Sequence, residues 1–275
     1  MKYRFSLLAV IKWIFLFLMA MTILLPMVWI LFSAFKSKVE IISYPPHFFF
    51  RVFSTENFIS LFQRIPVMLY LRNSLIYVVM LTAGQMIVDS LAGYAFARMR
   101  FKGKHVLFTI VLLGMMIPFQ IIMIPLFIEC SILRLVNTYT GLVLPRIVSV
   151  TSIFMMRAYF STLPQSLEEA GRIDGLSEIG IFLRIMIPLC VPILITHAVL
   201  TFNMGWNDLL WPLLMTSSKE QRMLSNGLTA LVGANTTEYG PAFAGAIISI
   251  IPVLILYISG QKYFVNSLVS SGMKD

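Results

Sequence analysis

Residues 163–175 read Leu-Pro-Gln-Ser-Leu-Glu-Glu-Ala-Gly-Arg-Ile-Asp-Gly, and they are the most polar run in a chain that is otherwise largely apolar. The first half of this run predicts a short helix. Thr162 can cap the free N–H groups at its start, and Pro164 is tolerated in a first turn. Glu168 and Glu169 favour the positive end of the helix dipole. The run lies between two long apolar segments, so a polar helix is expected where the chain leaves them.

A break follows this helix. Gly175 is a natural stop, and Ser177 can cap a second helix. A helix, a glycine and another helix predict a compact knob that projects from a membrane. The competing interpretation is a charged, solvated loop between two spans, and residue chemistry alone does not separate the two.

The composition of the chain indicates a membrane protein. Of its 275 residues, 59% are hydrophobic and 12% are charged, and the mean hydropathy is +0.87. An average soluble domain is roughly 25% charged. The two cysteines, Cys130 and Cys190, are far apart in apolar surroundings, so we expect packing residues rather than a disulfide or a metal site.

Six stretches meet the requirement of about 20 mostly apolar residues for one membrane crossing. The sequence therefore predicts an all-α integral membrane protein with six transmembrane helices. The predicted spans are Ile11–Phe32, Asn73–Phe96, Val106–Ile128, Thr138–Met156, Ile185–Pro212 and Tyr239–Gln261.

The distribution of positive charge predicts that both termini face the cytoplasm. With the N-terminus inside, the inner segments carry twelve Lys and Arg residues and the outer segments eight. The bias is sharpest in the short loop 97–105, which has four cations and no acid, and short loops weigh most. The net charge of +9 is therefore interpreted as cytoplasmic excess, with no nucleic-acid partner. The knob is predicted on the cytoplasmic side as well.

The segment 33–72 is predicted to lie outside the cell. Thr55 can cap a helix from Glu56 to Leu71 whose apolar residues share one face, as in a helix lying in the membrane interface. Pro66 would kink or split this helix. A simple packing role is the competing interpretation.

Sequence patterns for catalysis are missing from the chain. It has no G-x-x-x-x-G-K-[ST] phosphate loop, no H-E-x-x-H, no paired C-x-x-C and no G-x-S-x-G elbow. The three histidines are isolated, and His197 in the fifth span is expected to hydrogen-bond between helices. We predict that the chain is not an enzyme and holds no catalytic, cofactor-binding or metal residues.

Polar residues inside predicted spans are costly and usually face an interior. Asn203 and Asn207 are four residues apart and share a helix face, with Trp206 three residues after Asn203. That face, continued by Asp208, could line a polar path through the membrane. The alternative is that Asn207 and Asp208 brace helix packing.

Arg146 lies within the fourth predicted span and needs an acidic partner. Asp208 and Asp89 are available, and depth in the membrane favours Asp208. A structural ion pair is one interpretation, and contact with an anionic or strongly polar substrate is the other.

The knob resembles the EAA signature of ABC-importer permeases. Glu169-Ala170-Gly171, then Gly175, then Ile185-Met186-Ile187-Pro188 follow its spacing at every point. Gly171 stands where alanine is usual, and Ile187 where leucine is usual. Residues 168–175, the run Trp-Asn-Asp-Leu-Leu-Trp-Pro at 206–212 and the tail 261–275 resemble the carbohydrate-uptake branch of this family.

The resemblance implies a type I ABC importer-like transmembrane domain in the prokaryotic inner or plasma membrane. It divides the chain into residues 1–72, with the first span and an external amphipathic segment, and 73–275, a five-helix permease core with a coupling loop at 160–188. The loop would dock in a groove of an ATPase. The implied ATPase-coupling residues are Glu168, Glu169, Ala170, Gly171, Arg172, Asp174 and Gly175, and the candidate path residues are Asn203, Trp206, Asn207, Asp208 and Arg146.

The implied function is that of a permease subunit of an ATP-driven sugar importer, with oligosaccharides as the first expectation. The implied partners are a second homologous permease, two ATPase subunits, an extracellular solute-binding protein, the sugar and membrane lipid. ATP and Mg would be used by the partner ATPase, and none would be bound by this chain.

Three alternatives stay open at this point. One is a permease of the same kind for a glycerol-phosphate-type or acidic sugar substrate. The second is an ion-coupled secondary transporter, which usually has internal repeats and acid-rich sites at the membrane midplane. The third is a membrane scaffold or receptor, which would need no polar path.

Overall fold

The computed structural model of the protein describes residues 7–232 and 238–272. The regular elements in these residues are helices, joined mostly by short turns and, at residues 42–55, by a longer irregular segment. In chain order they are α1 (Leu7–Ser33), α2 (Lys38–Ile41), α3 (Glu56–Arg64), α4 (Val67–Arg98), α5 (Lys104–Leu113), α6 (Phe119–Ile132), α7 (Tyr139–Val143), α8 (Val150–Thr162), α9 (Ser166–Ile173), α10 (Glu178–Ile181), α11 (Ile187–Leu189), α12 (Val191–Trp206), α13 (Leu210–Met215), α14 (Leu224–Leu228) and α15 (Tyr239–Gly272).

Shorter elements fill most of the breaks. A π-helical turn at Phe182–Met186 joins α10 to α11. Single 3-10 turns occur at Gly114–Met116, Leu144–Arg146, Lys219–Gln221 and Thr229–Leu231. The last three residues of the tail 261–275, residues 273–275, lie outside the described residues. The N-terminal cation Lys2 lies outside them as well.

Three of the described helices, α1, α4 and α15, are long and apolar enough to cross a membrane. Three further helix pairs pass the same test together, which allows up to six crossings. The pairs are bent by 99° between Met116 and Phe119, by 52° between Arg146 and Val150, and by 80° between Leu189 and Val191.

The third, fourth and fifth predicted spans therefore each correspond to one of these bent pairs rather than to a single straight helix. Proline accounts for part of the difference, because it removes a backbone donor and clashes with the preceding turn. Pro118 precedes α6, Pro145 lies in the 3-10 turn after α7, and Pro192 lies in the first turn of α12.

The described residues group into two compact units. Of the described residues, one unit comprises 7–67, 227–232 and 238–251, and the other comprises 68–226 and 252–272. In the first unit, Asn57 of α3 is buried and donates from Nδ2 to the carbonyls of Ala34 (2.9 Å) and Lys36 (2.7 Å). Gly240 allows this contact, since a Cβ there would lie 2.0 Å from Oδ1 of Asn57.

The predicted helix Glu56–Leu71 is split, as expected from Pro66. Helix α3 ends at Arg64, Ile65 is extended, and α4 begins at Val67, just after Pro66. The predicted cap was wrong, because Thr55 makes no side-chain cap hydrogen bond. The Ser54 hydroxyl instead accepts from the Glu56 N–H at 3.2 Å.

The second unit has two apolar cores. One surrounds Trp211, whose indole N–H donates to the Leu142 carbonyl at 3.0 Å. The other surrounds Phe160 and brings α4 and α8 into close contact. Cys130 lies in the first core and Cys190 in the second; both are free and buried, which confirms the packing role.

Candidate functional site

The predicted knob begins with α9, and its start differs from the prediction. Thr162 is the last residue of α8, and its hydroxyl donates to the Tyr159 carbonyl at 2.8 Å. It therefore does not cap α9. Gln165 occupies the N-cap position without a side-chain cap hydrogen bond. The chain between the two helices is extended at Leu163.

The end of the knob follows the prediction. Gly175 has φ +78°, a left-handed conformation that favours glycine, and it follows Asp174 at the C-cap of α9. The Ser177 hydroxyl accepts from the Gly180 N–H at 3.1 Å and caps α10. The helix–glycine–helix arrangement is confirmed.

The two adjacent glutamates of α9 have opposite environments. Glu168 is buried and forms an ion pair with Arg98 at the end of α4, with 3.2 Å between Nε and Oε1. Glu169 and Ala170 are exposed on the surface of the helix. Ile173 is 86% exposed, so the surface carries an acid beside a large apolar side chain.

Arg172 and Gly171 fasten α9 to the following turn. Arg172 binds Glu178 through two nitrogens, at 2.8 and 3.3 Å, and this hydrogen bonding raises the pKa of Arg172. Gly171 packs on α10, and a Cβ there would lie 2.7 Å from Cδ1 of Ile185. Close packing explains why glycine fits where the resembling signature has alanine.

Sequence reasoning missed Arg98 as a functional candidate. It was counted only as one cation of the loop 97–105. Together with Arg100, Lys104 and Glu168 it lines a cleft of about 680 Å³ between the end of α4 and α9. No signal in the sequence marked it, because only the packing of α4 against α9 shows which of the two adjacent glutamates is buried and needs a cation.

The predicted pairing of Arg146 with Asp208 is confirmed. The Nη1 of Arg146 contacts Oδ2 of Asp208, and the two side chains are 17% and 13% exposed. The Tyr77 hydroxyl accepts from Arg146 at 3.3 Å and donates to Asp208 at 3.4 Å. The guanidinium also lies 4.8 Å from the ring centre of Phe119.

Asp89 has other partners. Its Oδ1 accepts from the Ser149 N–H at 3.0 Å, and its Oδ2 lies 3.3 Å from Nε2 of His197. Both Asp89 and His197 are fully buried. His197 therefore lies against α4, but the predicted hydrogen bond is not formed, because neither its Nε2 nor Oδ2 of Asp89 has a hydrogen-bond partner among the described residues.

Gln85 is a second residue that sequence reasoning missed. Its amide donates to the Arg146 carbonyl at 2.6 Å and accepts from the Thr201 hydroxyl at 3.0 Å. The sequence spacing could have indicated this contact. Gln85 and Asp89 on α4 are four residues apart and share a helix face, as do His197 and Thr201 on α12.

The remaining path candidates separate into two groups. Asn203 and Asn207 are exposed and joined, with 2.9 Å from Nδ2 of Asn207 to the Asn203 carbonyl and 3.0 Å to its Oδ1. Trp206 is buried and stacks on Phe202, with ring centres 5.8 Å apart. The structure therefore brings the two amides together and turns the indole away from them.

Comparison with known proteins places this arrangement in a family. Residues 89–268 match the family described as "Binding-protein-dependent transport system inner membrane component". The arabinooligosaccharides transport system permease protein AraQ of Bacillus subtilis (strain 168) is 33% identical over 274 residues, 98% of each chain. Its namesake in Halalkalibacterium halodurans is 40% identical over 202 residues, 74% of this chain and 72% of the other.

A solved structure shares the fold. It is described as a bacterial ABC transporter involved in the import of the acidic polysaccharide alginate, and it covers 96% of this chain and 99% of its own with a TM-score of 0.83 at 24% identity. The family match, the full-length relatives and the apolar helices agree. The chain is a multi-pass membrane protein that belongs to the family of inner-membrane permease components of binding-protein-dependent transport systems.

Proposed function

We propose that the chain is a membrane-spanning permease subunit of an ATP-driven importer for sugars, with oligosaccharides as the foremost substrates. The support is the pair of relatives named for arabinooligosaccharide transport, one of them similar over the full length. The observation that carries the coupling role is α9, which presents Glu169 and Ile173 on its surface while Glu168 is held inside.

The partners follow from the same proposal. The chain pairs with a second homologous permease, two ATPase subunits and an extracellular solute-binding protein. ATP and Mg are bound by the ATPase subunits, where hydrolysis takes place. This chain supplies half of the translocation path and the docking knob.

The membrane topology is part of the proposal. Each bent helix pair is one crossing, so that six crossings place both termini and α9 in the cytoplasm. The four cations of the loop 97–105 support this orientation. The first span with its external segment forms residues 1–72, and the five-helix core forms residues 73–275.

Docking on the ATPase is assigned to the exposed part of the knob. Glu169 is the principal polar contact, flanked by Ala170, Arg172 and Asp174, and Ile173 supplies an apolar anchor. Burial favours Glu169 over Glu168, because a side chain already engaged inside the protein has less surface to offer a partner.

The substrate path is assigned to polar groups at membrane depth. The exposed amides of Asn203 and Asn207 can exchange hydrogen bonds with sugar hydroxyls. Arg146 and Asp208 neutralise each other, so they brace this wall of the path without leaving a net charge in it.

The test is co-purification from mild detergent. Tagged wild-type chain, Glu169→Ala and the matched control Glu56→Ala, another exposed glutamate on a helix, are compared. We expect a second permease and an ATPase with wild type and control, and loss of the ATPase alone with Glu169→Ala. A wild-type chain that purifies without an ATPase overturns the importer proposal, and an ATPase retained by Glu169→Ala overturns the docking role.

A further inference from the structure

We propose that the ion pair of Arg98 with Glu168 is the link through which a displacement of α9 reaches the buried polar cluster in the membrane. Arg98 and Glu168 are thus positioning residues for coupling, distinct from the docking role of Glu169. The inference rests on the proposed function, since it needs an ATPase that moves α9.

The geometry makes Arg98 a clamp on the knob. Its Nε lies 3.2 Å from Oε1 of Glu168 in the first turn of α9, an ion pair without hydrogen-bond geometry. Its Nη2 donates to the carbonyl of Leu163, which lies just before α9. One guanidinium therefore holds both the approach to the helix and its first turn, and the planar fork of arginine suits such two-point contact.

The ion pair of Arg98 with Glu168 is mostly shielded from water. The side chains of Arg98 and Glu168 are only 12% and 4% exposed, so water competes weakly for either charge. Glu168 also has a longer ion pair with Arg172, at 3.7 Å within the same helix, so it is the removal of Glu168 that leaves Arg98 as an uncompensated, mostly buried charge. The pair of Arg172 with Glu178 is 45% and 47% exposed, and exposed pairs contribute little. The buried pair is therefore the stronger attachment of α9 to another part of the unit.

Helix α4 carries the displacement onward. It is 32 residues long, and Arg98 is its last residue. Tyr77, Gln85 and Asp89 lie on the same helix, and their side chains contact the Arg146 region and α12. At 1.5 Å per residue, the distance along the helix from Arg98 to Tyr77 is about 30 Å.

A second attachment exists and must be separated from the first. Gly171 of α9 packs against Ile181 and Ile185, which lead into the π-helical turn and then α12. If this packing alone carried the displacement, the loss of the Arg98 pair would leave the response of the membrane helices unchanged. The experiment therefore measures the relative motion of α4 and α12.

The experiment uses the complete transporter in detergent, with spin labels at Met80→Cys on α4 and Met204→Cys on α12, two exposed positions. The distance between the labels is measured without nucleotide and with ATP in the absence of Mg, which permits binding without hydrolysis. The readout needs no transported substrate. ATPase co-purification is measured on the same samples.

We expect the wild-type label distance to change on ATP binding. In Glu168→Gln the ATPase should still co-purify, while most of the ATP-dependent change in the label distance should be lost. The charge-swapped variant Arg98→Glu with Glu168→Arg should recover part of the change, because it restores the ion pair but not the hydrogen bond to the Leu163 carbonyl. Lys102→Gln, which removes an exposed cation of the same loop outside this cleft, should behave as wild type.

Each other outcome overturns one statement. The link is overturned if the label distance in Glu168→Gln changes as much on ATP binding as in the wild type, or if the label distance in the wild type does not change at all. Loss of the ATPase in Glu168→Gln makes Glu168 a docking residue and also overturns it. If Glu168→Gln and the charge-swapped variant both fail to assemble, the pair is only a structural brace. Absence of an ATPase from the wild type overturns the proposed function instead.

Discussion

The ion pair of Arg146 with Asp208 allows a quantitative test of how the membrane interior is held together. The side chains are 17% and 13% exposed, and the Tyr77 hydroxyl bridges them. Removing one charge of a buried pair costs about 3–5 kcal/mol because the other is left unpaired. The residual exposure favours the lower end, so Arg146→Met and Asp208→Asn should each cost about 3 kcal/mol.

The double variant decides whether pairing is the cause. With both charges absent no unpaired charge remains, and the cost should be no greater than that of either single change. The coupling energy is then about 3 kcal/mol, the upper end for residues in contact. Each single change should lower the midpoint of thermal unfolding by about 6–12 °C.

The assay is thermal unfolding of the purified chain in detergent, with Arg100→Met as a control for loss of an exposed cation. The control should shift the midpoint little, since surface substitutions are usually within about 0.5 kcal/mol. Additive costs in the double variant would refute the pairing argument. They would mean that each side chain contributes by its own packing, for example Arg146 through Phe119.

Two further predictions concern packing and pH. Gly93→Ala should destabilise the chain by about 1–3 kcal/mol, because the added Cβ would lie 2.6 Å from Cβ of Met156. The control in the same unfolding assay is Gly180→Ala, whose added Cβ meets only contacts of 3.4 Å or more. Equal unfolding midpoints for the two variants would contradict the prediction. The Arg51 N–H donates to the Glu40 carboxylate and lowers its pKa. The stabilisation that this hydrogen bond gives is therefore complete above about pH 4.3, the pKa of an unperturbed glutamate, and is lost as the pH falls through the lower pKa of the folded state. Hydrogen-exchange protection of the Arg51 amide should fall over the same pH range, and a protection factor that does not change with pH would contradict the prediction.

The sequence predicted the features that depend on neighbours along the chain. Glycine at Gly175 and the hydroxyl of Ser177 act within one turn, so their roles as stop and cap follow from local chemistry. The apolar composition of long stretches gave the membrane class, because burial in lipid requires it. The pairing of Arg146 with Asp208 was also predictable, since a charge at membrane depth has few possible partners.

The tertiary structure decided which side of each element faces the protein. Glu168 and Glu169 are neighbours of the same type, and only the position of Arg98 on another helix distinguishes the inward acid from the exposed one. Asp89 could have paired with Arg146, but packing of α4 on α12 placed it against His197. These contacts join residues distant in sequence, and helical periodicity gives a face without saying which element meets it.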